Sequence, residues 1–387
     1  MEMNIIKVAL REMRIIIGHH IYLTCMVMMP LVVTILFTSL MQDGQPGEMP
    51  VGVVDNDNTT TTRKLTRTLD SFQSSKVVAH YPNIEEARHA MQKGEIYAFL
   101  YFPKNTTDDL LSSRQPKISF YYSNTSLTAG ALLFKELKTM ATLGSAAVGK
   151  ATLTAKGYRD EVIMPVLQPI ALDVHTVGNP WVSYNIYLST MLIPGCLLLF
   201  IFLITAYSFG TELKFDTAKE LMATAGDNVA VAALGKLLPQ TLIFLTVIYL
   251  EMFYLFGILH FPAPGGFWHL ALLGLLSVIG AQGLGLFIFA LIPHMRMAMS
   301  VCSLWGVLSF SMVGSAFPVF AMDAPLQALA WLFPLRHYYM IYQLCVFNSY
   351  PLSDALPYIL TLLLFVALPW LLYLRLGKAL RQYYYTE

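Results

Sequence analysis

The chain has 387 residues, of which 56% are hydrophobic and only 13% charged, a balance outside the range of soluble globular proteins. Its 25 basic and 24 acidic residues leave a formal net charge of +1, which argues against a nucleic acid or other polyanion as partner. What remains is an α-helical integral membrane protein.

Residues 1–20 mix Ile5, Ile6, Val8, Ala9, Met13 and Ile16 with Lys7, Arg11 and Arg14. That pattern predicts an amphipathic helix lying on the inner membrane surface. Residues 21–41 form the first of six apolar runs, each near the roughly 20 residues needed to cross a bilayer core of about 30 Å. The runs are Ile21 to Leu40, Tyr184 to Phe209, Leu234 to Leu259, Phe267 to Ile292, Ala298 to Phe320 and Ala355 to Leu374. The first is read as a signal anchor, because it is long and no small-residue cleavage site precedes Gln42.

Residues 42–183 predict an α/β domain inserted between the first and second spans. "MPVGVVDND" reads as a buried strand, and "NTTTTRKLTRTLDSF" as a helix capped by Asn58 or Thr59. Lys76 to His80 is a second strand, Ile84 to Lys93 a helix with Glu85 and Glu86 in its first turn, and "IYAFLYF" and "KISFYYS" are further strands. A long, glycine-interrupted helical stretch follows from Thr125 to Lys156, and the Pro-marked segment Met164 to Pro180 returns to the membrane. This composition suits helices packed on a sheet.

Residues 184–387 carry the other five spans. Between the second and third lies "FDTAKELMATAGDNVAVAALGK", in which Phe215 to Ala225 predicts a short amphipathic helix followed by a Gly-Asp-Asn stop, placing a cytoplasmic helix near 215–226. Residues 321–350, broken by Pro325 and Pro334, predict short helices or a re-entrant hairpin on the outer side.

Charge sets the orientation, since short cytoplasmic flanks favour Lys and Arg. With the N-terminus inside, those flanks hold Lys7, Arg11, Arg14, Lys214, Lys219, Lys236, Arg296, Arg375, Lys378 and Arg381, against Arg336 alone in the short outer loops. Both termini are therefore expected in the cytoplasm. The remaining 14 basic residues lie between Asp43 and Ser183 with 14 acidic ones, in a segment long enough to be translocated regardless of charge.

Two motifs are rejected on physical grounds. "GSAAVGKA", Gly144 to Ala151, fits phosphate-loop spacing, but a helix precedes it and Ala151 stands where magnesium needs a hydroxyl. "GAQGLG", Gly280 to Gly285, sits inside a span, where small residues serve close helix contact. Cys25, Cys196, Cys302 and Cys345 all fall in apolar or membrane-adjacent segments, so the outer domain folds without disulfides, and the histidines show no metal-ligand spacing. No cofactor, metal or catalytic residue is expected. Glu251, inside the third span, is a candidate for a polar translocation path or a proton acceptor, against the alternative of a carboxylate paired near the interface. Ser303, Gly306, Ser309 and Ser311 give the fifth span a small, weakly polar surface suited either to a conduit or to helix packing.

In order along nearly its whole length, the chain resembles the transmembrane subunits of type 2 ABC exporters that carry a large extracytoplasmic domain after the first span. The resemblance rests on the basic amphipathic N-terminus, "VGVVDND", "TELKFDTAKELMATAGDNVAVAALGKLLP" and "WLFPLRHYY". In the family's second loop pattern Glu212, Thr217, Leu221, Gly235 and Lys236 match, while Asp216 stands where Gly is usual. The resemblance implies a permease of the bacterial inner membrane that dimerises with itself or a paralogue. It further implies two cytoplasmic ATPase subunits, which bind the ATP and magnesium. Coupling contacts would fall on Arg11 and Arg14 and on Asp216, Thr217, Lys219, Glu220, Leu221 and Met222, the last two as apolar anchors in a groove of the ATPase. Relatives with comparable outer domains export drugs, amphiphiles and lipid-linked molecules, often through a periplasmic adaptor and an outer-membrane channel. The rivals are a membrane-anchored interaction protein, which would need no coupling helix, and a membrane-embedded enzyme, which would need more convergent acids or nucleophiles than Glu251.

The charge tally generates a topology test. Cysteines introduced at Thr61 and Ser123 should react with an impermeant thiol reagent applied to intact cells, and one at Lys219 should not; labelling at Lys219 would invert the orientation.

Overall fold

The amphipathic N-terminus forms α1 (Glu2–Gly18) in a computed structural model that describes residues 2–112, 114–168, 179 and 182–382. Val8, Glu12 and Ile16, four residues apart, are buried, while Met3, Ile6, Leu10 and Ile17 are exposed. The helix thus has apolar groups on two sides, one spent on the protein's own core. α2 (His20–Leu40) follows, with a π-helical turn over Thr24–Met28 just before Pro30. The chain divides into two compact units, Met1–Gln42 with Val177–Glu387, and Asp43–Thr176.

The second unit is an α/β sandwich. β1 (Met49–Asp55), α3 (Thr60–Asp70), β2 (Ser75–His80), α4 (Ile84–Lys93), β3 (Ala98–Phe102), α5 (Thr106–Leu111), β4 (Ser119–Tyr122), α6 (Leu127–Ala155) and α7 (Asp160–Leu167) follow in order. The sheet order is β2-β1-β3-β4, with β1 parallel to both neighbours and β4 antiparallel to β3. Strand alternation sends Val51, Val53, Leu100 and Phe102 to a core with Leu69, Leu133 and Leu137, and Val54 and Phe99 to the opposite face against Ala87 and Ala90. Thr59 caps α3 through a reciprocal box with Thr62, so of the two capping residues expected it is Thr59 that serves. The glycines of α6 do not interrupt it; the helix runs 29 residues without a break. Of the Pro-marked return segment, Met164 to Leu167 closes α7, and most of the rest lies outside the described residues.

The first unit continues with α8 (Asn185–Lys214), α9 (Ala218–Thr224), α10 (Val229–Ile258), α11 (Phe267–Leu291), α12 (Met295–Met312), α13 (Ala324–Ala330), α14 (Pro334–Ile341), α15 (Leu356–Leu371) and α16 (Tyr373–Gln382). Five of these, α2, α8, α10, α11 and α12, are long and apolar enough to cross a membrane; α15 and α16, bent by 48°, make a sixth if counted as one. Two expected spans need correcting. The fifth runs from Met295 and stops at Met312 rather than Phe320, because Gly314 takes a left-handed φ of 96° and Pro318 follows. The last breaks after Leu371, two residues past Pro369. Residues 321–350 contain short helices, as expected.

Glycines set the closest helix contacts. A Cβ on Gly283 of α11 would lie 2.3 Å from the Phe365 carbonyl oxygen of α15, an atom of the backbone that cannot swing aside. Gly283→Ala should therefore destabilise the purified protein by about 1–3 kcal/mol, by analogy with overpacked cores, whereas Gly18→Ala, which meets nothing within 4 Å, should leave the melting temperature unchanged.

Candidate functional site

At the end of the bundle where α8 passes into α9, five charged side chains meet. Lys236 of α10 and Glu12 of α1 are each 1% exposed, and Glu212 of α8 is 2% exposed. Such burial is tolerated only where each charge has partners. The Lys236 ammonium donates to Glu12 Oε2, and to Glu212 Oε1 at 2.8 Å. It also stands over the Phe209 ring, 5.9 Å from its centroid. Glu212 in turn receives a two-pronged bond from Arg11, Nη1 to Oε1 at 2.7 Å and Nη2 to Oε2 at 3.1 Å, the planar match that makes Arg–carboxylate pairs specific. Thr217 Oγ1 donates to Glu212 Oε2, and Arg11 Nε reaches Glu220 Oε1 of α9 at 3.2 Å.

The second carboxylate is equally enclosed. Glu12 Oε1 accepts from Ser208 Oγ at 2.8 Å and from Gln240 Nε2 at 2.9 Å. Two carboxylates, Glu12 and Glu212, thus balance two cations, Lys236 and Arg11, with Glu220 at the exposed rim. Burial works against the Arg11 charge, but the hydrogen bonds and charges of Glu212 and Glu220 more than offset it and raise its pKa above the ordinary guanidinium value.

The backbone makes this cluster possible. Gly235, one residue before Lys236, lies so close to α1 that a Cβ there would stand 2.6 Å from Val8 Cβ and 3.0 Å from the Ile5 carbonyl oxygen. Val8 and Glu12 are one turn apart on α1, so the glycine admits the helix and the lysine then meets its carboxylate. Asp216 turns the chain between α8 and α9 at a φ of 55°, the left-handed region that glycine enters without steric cost.

Two expected anchors are not where a partner could grip them. Leu221 is 0% and Met222 4% exposed, both within the protein's own core. The apolar side of α9 packs on the bundle because its three buried residues, Ala218, Leu221 and Met222, have spans beneath them. What α9 leaves outward is Lys219, Glu220 and Ala223, with Phe215 and Asp216 ahead of it. Arg14 is exposed and forms no ion pair among the described residues, while Arg11 belongs to the buried cluster. Beside these groups opens a cleft of about 560 Å³ whose lining includes Arg14, His19, Tyr207, Thr211 and Phe215.

A family model described as ABC-2 family transporter protein matches residues 20–375. The chain belongs to the ABC-2 transporter family. No curated protein matches it. ABC-2 chains are membrane subunits of transporters, and of the buried cluster Glu212 and Lys236 lie within the matched residues, while Arg11 and Glu12 precede them. The other residues singled out in this ABC-2 chain are scattered. Gly306 and Ser309 turn inward, a Cβ on Gly306 meeting Leu199 of α8 at 2.5 Å. Ser303 is half-buried and Ser311 exposed. Glu251 faces Thr34 of α2. Among the described residues no group of three or more His, Cys, Asp and Glu could hold a metal ion.

Breaking the cluster should cost more than dismantling it in balance. Lys236→Met leaves two buried carboxylates against one guanidinium and should destabilise the detergent-purified protein by about 3–5 kcal/mol. Adding Glu12→Gln restores the charge count and should recover part of that loss. Additive losses in thermal melts would mean that the two residues do not act as a pair.

Proposed function

We propose that this chain is the permease subunit of an ATP-driven exporter of the bacterial inner membrane, forming the path for a drug-like, amphiphilic or lipid-linked substrate. Two cytoplasmic ATPase subunits bind the ATP and magnesium and dock on the end of the bundle that bears α1 and α9. The observation that carries this reading is the buried cluster of Glu12, Glu212, Lys236 and Arg11. It joins α1 to spans α8 and α10 by charge-assisted bonds, and α9 is tied to it through Glu220 with Arg11 and through Thr217 with Glu212, so that a push on α9 is delivered to two spans at once. A helix that merely linked two spans would have no use for such an attachment.

In this reading the docking surface is polar with an aromatic edge: Lys219, Glu220 and Ala223 on α9, Phe215 and Asp216 before it, and Arg14 across the cleft. Leu221 and Met222 keep α9 rigid instead of entering the partner. The second protomer, identical or paralogous, covers the outward faces of α2 and α12, where Ile35, Leu36, Leu304, Val307 and Leu308 are exposed. The unit Asp43–Thr176 lies outside the cytoplasm, where a periplasmic adaptor leading to an outer-membrane channel meets it.

The test separates the outward face of α9 from its inward one. Lys219→Glu with Ala223→Arg should weaken co-purification of the ATPase and its stimulation at least about tenfold, the loss of one or two rim or core contacts, with an unchanged melting temperature. Leu221→Asp should instead lower the melting temperature. An ATPase that binds the surface variant as tightly as the unaltered chain would place the docking site elsewhere.

A further inference from the structure

Near the opposite end of α10 from Lys236, fifteen residues and thus about 22 Å along the helix, stands a carboxyl that is handled quite differently. Glu251 is 3% exposed, its Oε1 lies 3.2 Å from Thr34 Oγ1 of α2, and its Oε2 has no hydrogen-bond partner. Thr34, itself 3% exposed, owns one hydroxyl proton and has a nearer acceptor, the Pro30 carbonyl oxygen at 2.9 Å. If that proton goes to Pro30, the Glu251 contact is satisfied only by a proton on the carboxyl, donated to Thr34 Oγ1. No Lys, Arg or His bonds to Glu251 among the described residues. The titratable groups within Coulombic reach are Cys196 of α8 and Tyr338 of α14; the histidine of α11, His269, bonds to the Gly265 carbonyl. An ionised carboxylate in this setting would be buried without a counter-charge.

The surroundings are polar and aromatic. Thr38 bonds to the Thr34 carbonyl at 2.7 Å and lies 3.5 Å from the Tyr254 hydroxyl. Asn185 donates to the Thr38 carbonyl at 3.2 Å and accepts from Ser189 at 2.6 Å. Tyr338 stacks with Tyr342 at 6.4 Å, and the buried Tyr342 hydroxyl has no partner. A glutamine would fill the same space without ionising, so the carboxyl must matter for the charge it can acquire.

We propose that Glu251 is a recognition site for organic cations: an ammonium or phosphonium centre binds the carboxylate as its proton leaves to solvent, with tyrosine faces holding the apolar body. This rests on the permease reading and names the substrate class for it. The exchange balances, one proton released for each monovalent cation bound. Aromatic rings favour a poorly hydrated organic cation over sodium or potassium, and a divalent metal would find a single carboxylate. The conformation described here, with the carboxyl enclosed, is the proton-bound one.

The test uses the purified permease without its ATPase. Binding of tetraphenylphosphonium should tighten as pH rises, because protons compete for the carboxyl. One proton should be released per cation in weakly buffered solution. Glu251→Gln, nearly isosteric and expected to melt as the unaltered chain does, should weaken binding about tenfold or more, the worth of one charge-assisted contact, and abolish both the pH dependence and the proton release. The neutral triphenylphosphine oxide should bind both proteins alike. Unchanged tetraphenylphosphonium affinity in Glu251→Gln, binding without proton release, or no binding to either protein would each overturn the proposal. Failure of ATP-driven transport in vesicles, with the cation binding intact, would instead overturn the permease reading and leave the site standing.

Discussion

Everything at the α9 end of the bundle depends on one ammonium. Lys236 is shared between Glu12 and Glu212, and through them α1, α8, α9 and α10 become one body. Coulomb attraction in a buried site is largely offset by the desolvation of the ions, so the cluster is not a strong source of net stability. Its consequence is geometric. Each oxygen of Glu12 and Glu212 has a donor in a fixed direction, and a shift of α1 by a helical turn would leave buried charges unpaired. Such an attachment resists sliding far more than an apolar contact of the same area would, because apolar surfaces repack and unpaired charges do not.

Much of the fold could be read from period and punctuation alone. The strand "MPVGVVDND", the helix from Ile84 to Lys93 and the first four apolar spans are strong local signals, and they stand within a few residues of the expected bounds. The errors have a common cause. Apolar residues in a short amphipathic helix say that one side is covered, not what covers it, so Leu221 and Met222 read equally well as anchors for a partner and as packing for the chain's own core. Proline and glycine ended the fifth and last spans earlier than their hydropathy implied, because a bilayer-length apolar run can bend without losing apolar character.

The central residue of the cluster was half legible. Gly235 and Lys236 belonged to a recognisable pattern, but the carboxylate that Lys236 meets was not sought. The signal was present: Val8, Glu12 and Ile16 are spaced four apart, so a helix that buries Val8 and Ile16 must bury Glu12 between them. An acidic residue on the covered stripe of a basic amphipathic helix cannot remain without a cation. The nearest unclaimed basic residue in a span is Lys236, and the glycine before it marks where a helix can come close enough.

α10 carries two buried ionisable groups, Lys236 and Glu251, one near each end, and they obey opposite rules. At Lys236 every ionised partner is supplied by the protein itself, so the charges are permanent and their positions fixed. At Glu251 the protein supplies one hydroxyl, which also has the Pro30 carbonyl as acceptor, and leaves the second carboxyl oxygen without a partner. A helix built this way has a mechanical end and a chemical end. Movement imposed on Glu212 and Lys236 is carried along α10, whose hydrogen-bond ladder lacks one donor at Pro239, and what it can alter at the far end is the seam between α10 and α2 where Glu251 meets Thr34. Opening that seam by little more than the width of a water molecule would give the unpartnered oxygen a donor, which is enough to change the charge the site prefers.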